Sequence, residues 1–375
     1  MTIRPTLPGG DQSALRHLNT RRVLQVLCDG PPLTISGVAQ VAGLSRPTAQ
    51  AILTTLTDSG LLRPDGHDIV KTGGRPAQRY RFNAAAGLLA GIDIGAHAVS
   101  VRIADLNGVL QAGMRRVIPA DLPADERLQT ALTLLDRALS DQSASGQTTR
   151  LWAAGVGTAG IVDSGGAVRL SVAIPGWTGV DLAEEIGRRL DCPVVAMKDA
   201  NLAVLAEHRH GAGREVSHIL YVHAGHRLGV GLLIDGRPFT GGTGAAGEIG
   251  RHPGLGWEDA PARLLAAAGA DAIEAAFARA RHGEQRALSA VDGFAQALAN
   301  GIGAMVLAMD PRLIVIGGGV AKAGTTVLDP IARHLASICY EVPDLQISAL
   351  GEDAVTIGAI EVARDRVRVE LFADS

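Results

Sequence analysis

The sequence predicts an α/β protein in two parts, a winged helix-turn-helix over residues 1–83 and a longer two-lobed body behind it. Three observations predict this. Charge is divided: ten Lys or Arg against five Asp up to Asn83 give the first part +5, which leaves 25 basic and 33 acidic residues, −8, in the remainder. Helix-turn-helix punctuation fills the first sixty positions, and in the body a strand-rich unit that starts at Leu88 restarts at Ile219. The basic end points to double-stranded DNA and the acidic body to a small molecule.

Composition narrows the class further. An apolar fraction of 47% supports buried cores. The N-terminus has no apolar run of the signal-peptide kind, and no stretch approaches roughly 18 uninterrupted apolar residues, so the expected address is the cytoplasm with no membrane partner. Cys28, Cys192 and Cys339 are scattered and odd in number, which favours reduced thiols over a disulfide framework and excludes a close-spaced metal knuckle. Lys71, Lys198 and Lys322 are the only lysines, a bias from which no function follows.

In the head, Asp11 to Cys28 reads as a helix with Leu15, Leu18, Val23, Leu24 and Leu27 on its apolar side, ended by Gly30-Pro31-Pro32. Ile35 to Ala42 gives a short second helix, Gly43 a tight turn, and Ser45 a cap for a third helix with Pro47 in its first turn. Ala49, Ile52, Leu53 and Leu56 fall at i, i+3, i+4 and i+7 of that helix, so Arg46, Thr48, Gln50, Thr54 and Thr55 lie on its other faces. Ser45, Arg46, Thr48, Gln50 and Thr54 are therefore candidate DNA contacts, with Arg46 and Gln50 suited to base edges. A wing follows: Leu61-Leu62, a polar Asp65-Gly66 turn, and a return strand ending in Gln78-Arg79-Tyr80-Arg81-Phe82, with Arg79 and Arg81 suited to phosphates. Gly73-Gly74-Arg75-Pro76 could present the Arg75 guanidinium to a narrow minor groove, and a flexible joint is the plainer reading of the same four residues. A purely structural three-helix module is the alternative for the head as a whole.

The body opens with strands at Leu88 to Ile94, Val99 to Asp105 and Val109 to Val117, the last two joined at Asn107-Gly108. Helix Ala124 to Leu139, strand Leu151 to Val156, helix Asp181 to Leu190, strand Val194 to Met197 and helix Asn201 to His210 follow. The pattern restarts with Ile219 to His223 and Gly229 to Ile234, turns at Asp235-Gly236, and ends with helices around strand Leu313 to Ile316 and a helix from Val355 to Arg368. Expected boundaries are 84–198 for the first lobe, completed by 355–375, and 199–354 for the second, which carries the effector cleft and a dimerisation surface. Glycine-rich hairpins at Asp93-Ile94-Gly95 and Gly225 to Gly231 would face the cleft, a setting suited to a nucleotide or a sugar.

Six segments together carry a resemblance: Gly73-Gly74-Arg75-Pro76, Gly91-Ile92-Asp93-Ile94-Gly95, Pro175-Gly176-Trp177, Asp199-Ala200-Asn201, Ala246-Gly247-Glu248-Ile249-Gly250 and Ile314-Val315-Ile316-Gly317-Gly318-Gly319. Over nearly its whole length the chain resembles the repressor, open-reading-frame and kinase (ROK) family, in its xylose-repressor-like branch. The resemblance implies an actin-like ATPase (ribonuclease H-like) body, and in the family's kinases two lobes that close over ATP and a hexose. Asp199 matches the kinase base, Asp93 the carboxylate near the metal, and Gly317, Gly318 and Gly319 the loop under adenosine. The phosphate loops depart from the pattern. Asp93-Ile94-Gly95-Ala96-His97 stands where the kinases resemble Asp-x-Gly-Gly-Thr, and Gly225-His226-Arg227-Leu228-Gly229 stands where they carry Gly-Thr-Gly. Bulky cationic side chains at His226 and Arg227 should obstruct a loop that wraps phosphates with its backbone, although Arg227 could also pair with a phosphate directly.

On the sugar side, Glu248 and Asp199 match sugar contacts, and capping or ion pairing is the alternative role for both. Ala173 replaces a sugar-binding asparagine, Glu-x-Gly-His becomes Glu248-Ile249-Gly250-Arg251, and Glu258 aligns with a last glutamate across a deletion. Asp199, Glu248, Arg251, Glu258 and Trp177 are the expected effector contacts. The deletion removes the family's three-cysteine zinc knuckle, leaving His252 without thiolate partners and Trp257 to anchor the loop by packing. The resemblance thus implies a non-catalytic kinase homologue without ATP or zinc, acting as a sugar- or metabolite-responsive repressor. As a homodimer or homotetramer it would read an inverted-repeat operator. A sugar kinase with a DNA-binding head and a ligand-independent DNA-binding regulator are the alternatives.

Overall fold

A computed structural model describes residues 12–68, 76–144 and 150–372. The head comprises α1 (Gln12–Cys28), β1 (Leu33–Thr34), α2 (Ile35–Ala42), α3 (Arg46–Asp58), β2 (Leu62–His67) and β3 (Gln78–Phe82). Local chemistry sets these boundaries. Thr34 Oγ1 accepts from the Gly37 amide to start α2, Gly43 ends it in the left-handed region at φ 66°, and Ser45 Oγ accepts from the Thr48 amide to start α3. Ala49, Ile52, Leu53 and Leu56 are buried as the spacing requires. Two expectations need correction. Leu15 and Leu18 are exposed, because the apolar cluster takes in α1 only from Val23 onward. Asp65-Gly66 is not the wing turn: it forms a bulge inside β2, between the Pro64–Tyr80 and His67–Gln78 pairs. Gly73, Gly74 and Arg75 lie outside the described residues.

The first lobe contains β4 (Leu88–Ile94), β5 (Ala98–Asp105), β6 (Leu110–Val117), α4 (Ala124–Ala144), β7 (Leu151–Thr158), the short hairpin β8 (Ile161–Val162) and β9 (Val168–Leu170), α5 (Leu182–Leu190) and β10 (Val194–Lys198). Helix α6 (Asp199–His210) leads to β11 (Ile219–Ala224), β12 (Leu228–Ile234), β13 (Arg237–Pro238), α7 (Ala260–Ala268), α8 (Ile273–Arg281), α9 (Gln285–Met309), β14 (Leu313–Gly317), α10 (Thr325–Leu335), β15 (Asp344–Ile347) and α11 (Ala354–Phe372). The sheets run β10-β7-β4-β5-β6 and β15-β14-β11-β12-β13. In each, the first strand pairs antiparallel with the second and parallel with the fourth, β4 and β11 taking the same place, which is the duplication anticipated from the sequence.

Helices α6 and α11 pack on each other between the two sheets. Glycines permit the close approach: a Cβ on Gly155 of β7 would lie 1.9 Å from the Ala359 carbonyl oxygen, and one on Gly358 would lie 2.0 Å from that of Leu202. Helix α9 is long and apolar enough to cross a membrane, alone in this among the described residues, and it is mostly buried in the core of the second lobe. Helix α11 also reaches the head. Ile360, Ala363 and Val367 share one apolar cluster with Val23, Leu27 and Leu53, and Arg368 pairs with Asp29 at 2.5 Å.

Candidate functional site

The first site is the surface around α3. Arg46, Gln50 and Thr54 are exposed on the face opposite its buried residues. Ser45 and Thr48 hydrogen-bond each other at 2.7 Å within the cap, and the Thr54 hydroxyl donates to the Gln50 carbonyl. These contacts fix the helix start and leave the long side chains of Arg46 and Gln50 to reach outward. On the wing, Arg81 lies 3.5 Å from Asp65, while Arg79 is half-buried and its Nε has no hydrogen-bond partner among the described residues. Sequence reasoning missed Arg16, whose guanidinium donates to Thr55 and so joins α1 to the same surface.

The second site is a cavity of about 160 Å³ between the lobes. The sheets deliver its residues from their ends. Asp199 opens α6 just past β10, Arg227 lies in the β11–β12 turn, and Glu248, Arg251 and Glu258 come from the irregular segment before α7. These five line one cavity, with Ala173 opposite, so the structure brings together four of the five effector positions expected from sequence. Trp177 is the correction. It is fully buried in the first lobe, and its indole nitrogen donates at 2.9 Å to Thr158 Oγ1, which in turn donates to the Ile94 carbonyl. It supports the ends of β4 and β7 and lines no part of the cavity. Trp257, by contrast, does line it, anchored by a 2.8 Å bond to the Ala297 carbonyl.

Two polar cavity residues escaped the sequence reading. Lys198 is 4% exposed and forms an ion pair with Glu248, and its ammonium also reaches the Ala246 carbonyl at 3.5 Å. Its place immediately before Asp199, in a chain with three lysines, was the available signal. His223 lines the cavity with a buried Nδ1 that has no hydrogen-bond partner among the described residues. Asp199 Oδ1 accepts from the next residue's amide at 2.6 Å. Burial, and after it the Asp199 carboxylate, push Asp93 up to about 8 against the pull of Arg115, because two neighbouring carboxylates resist ionising together.

The altered hairpins meet each other. The His97 and His226 rings stand 4.7 Å apart, joining the loop after β4 to the loop after β11. Arg127, fully buried, donates to the carbonyls of Gly95 and Ala96 and fixes the first loop from behind. Burial, then His226, Arg127 and Arg227, lower the His97 pKa. Gly225 lies against the turn at Gly318 and Gly319, and Gly317 is packed so closely on Tyr221 that a Cβ there would clash with its hydroxyl.

A helix-turn-helix with a wing, fused to two kinase-like lobes around a small cavity, defines a DNA-binding regulator with a sensor body. The chain belongs to the ROK family: the family model matches residues 89–256 and 262–366, and an IclR helix-turn-helix domain model matches residues 19–66. A putative xylose repressor of Caldicellulosiruptor sp. is 22% identical over 94% of this chain and 96% of its own length. A glucokinase of Thermotoga maritima is 27% identical over 74% of this chain and 98% of its own. Among solved structures, a ROK family transcriptional regulator described as a homolog of the E. coli MLC protein superposes with a TM-score of 0.75 at 20% identity, covering 96% of this chain and 98% of that one. A ROK glucokinase from Streptomyces griseus, in complex with glucose and AMPPNP, reaches 0.61 at 25% identity over 74% of this chain and 100% of its own. The likeness to the regulators therefore extends through the head, and the likeness to the kinases stops at the body.

Proposed function

We propose that the protein is a cytoplasmic transcriptional repressor that reads an inverted-repeat operator as a homodimer or homotetramer and leaves it when a sugar fills the cleft. The observation that carries this reading is the His97–His226 contact. Two imidazoles, at the positions where the kinase pattern carries threonine, bring the two altered phosphate loops into contact, while the reading face of α3 remains open to solvent. The body on this reading is a kinase-derived sensor with no ATP and no zinc. His252, the residue next to the lost ligand position, instead accepts a 3.1 Å bond from the Gly254 amide. Coupling to the head requires only that the sugar bind the DNA-competent and released arrangements with different affinity.

A second reading, a sugar kinase carrying a DNA-binding head, rests on Asp199 at the start of α6, just past β10, and Asp93 near the end of β4. Steady-state ADP release with a panel of hexoses separates the two. The regulator reading expects no sugar-dependent turnover. Phosphorylation that disappears in Asp199→Asn would establish the kinase instead.

A further inference from the structure

Building on the sugar-sensor reading, the cleft also indicates what kind of sugar it takes. Its lining differs according to the lobe that delivers it. The first lobe sends Ala159 and Gly160 from the β7–β8 turn and Val172 and Ala173 from the segment after β9, and none of the four has a polar side-chain atom. Lys198, at the end of β10, is the remaining lining residue from that lobe, and its ammonium is engaged by Glu248 and the Ala246 carbonyl. The other polar side chains come from Asp199 at the start of α6 and from the second lobe. Among them is His223, whose buried Nδ1 has no hydrogen-bond partner among the described residues.

The local backbone keeps the first-lobe wall bare. Gly160 sits at φ 131°, and a Cβ there would lie 2.5 Å from the Leu170 carbonyl oxygen, so the turn admits no side chain. Hydroxyls beside the wall are committed to backbone: Ser171 donates to the Ala159 carbonyl at 3.0 Å, and Thr158 to the Ile94 carbonyl at 2.9 Å. Val172 lines the cavity and is 60% exposed, so apolar surface on this wall is left to cover. A sugar hydroxyl set against it gives up water and meets no polar side chain, whereas a methyl group buries apolar area there. The ionisable lining offers no net charge to offset, since Lys198, Arg227 and Arg251 are matched in number by Asp199, Glu248 and Glu258. We infer that the effector is an uncharged monosaccharide carrying a methyl group on carbon or on oxygen in place of a free hydroxyl. The methyl lies on the first-lobe wall, and the remaining hydroxyls face α6 and the second lobe.

Calorimetry on the full chain tests this with a panel of hexoses, each beside its terminally deoxygenated counterpart, its methyl glycoside and its terminal phosphate. At least one methyl-bearing sugar should bind about tenfold or more tightly than its parent hexose, with a more negative heat-capacity change. Which methyl arm wins tells carbon from oxygen as its point of attachment. In Val172→Thr combined with Ala173→Ser, which puts two hydroxyls on the wall, the ratio of methyl-bearing to parent affinity should fall towards one. The melting temperature checks that the double variant remains folded, and Val172→Thr alone, at an exposed position, should lower the ratio part of the way. Parent hexoses or their phosphates binding as tightly as every methyl-bearing counterpart, or an unchanged ratio in the folded variants, would overturn the inference and leave the sugar-sensor reading intact. No binding in any arm would overturn both.

Discussion

The head and the cleft are built from similar polar side chains, and they differ in what those side chains already touch. On α3, Arg46 and Gln50 project from a helix whose opposite face is buried, with no side-chain partner among the described residues. In the body, Lys198 holds Glu248, Asp199 turns one oxygen back to its own helix, and Glu361 of α11 is enclosed by Arg209, His210 and Arg364. Charge in the head is held ready for a partner, whereas much of the charge in the body fastens elements together. That contrast separates a surface that reads from a frame that transmits.

The frame should break hardest at Glu361, whose side chain is 1% exposed. Glu361→Gln leaves Arg364 and His210 without their carboxylate and Arg209 with Asp365 alone, and chemical denaturation should report a loss of about 3–5 kcal/mol. Burial alone would raise the Glu361 pKa, but Arg364, Arg209 and His210 outweigh it and hold it below its usual value. Because the folded value lies below the unfolded one, the stabilisation is present above the ordinary carboxylate range. It is lost as pH falls through the lowered folded value. Denaturation of the Gln variant should therefore change less with pH across that acid window. A substitution that leaves both stability and its pH profile unchanged would show the network to be solvated and the contrast false.

The reading surface should respond more gently. Arg46→Ala or Gln50→Ala should cost about 1–3 kcal/mol at one base position and relax sequence preference there. Arg79→Ala should weaken all sequences alike and reduce the salt slope by about one. Identical footprints for the three variants would remove α3 and the wing from the interface.

The contrast also explains what could be read from the sequence. The Ser45 cap, the Gly43 turn and the 3.6-residue spacing of Ala49, Ile52, Leu53 and Leu56 are local facts, so the placement of Arg46 and Gln50 on α3 follows directly from them. Periodicity does not say where a neighbour ends, and Leu15 and Leu18 keep the apolar pattern of α1 beyond the surface that covers it. In the body, the motif residues Asp199, Glu248 and Arg251 were legible through family pattern, but the direction of a side chain was not. Trp177 shares a motif with cleft segments and turns into the core, because Thr158 offers its indole nitrogen a buried acceptor. The Lys198–Glu248 pair and the His97–His226 contact join residues far apart in the chain, and only the closed arrangement of strands, α6 and loops reveals them.

The most direct test of a sensor body coupled to a reading head is a footprint of the full-length protein on the DNA upstream of its own coding sequence. It would be titrated with the sugar panel in the presence of ATP, with ADP followed in the same tubes. The account predicts an inverted-repeat footprint that disappears as one sugar saturates the cleft, with no sugar-dependent ADP formed. A footprint indifferent to every sugar, accompanied by steady ADP production, would contradict it.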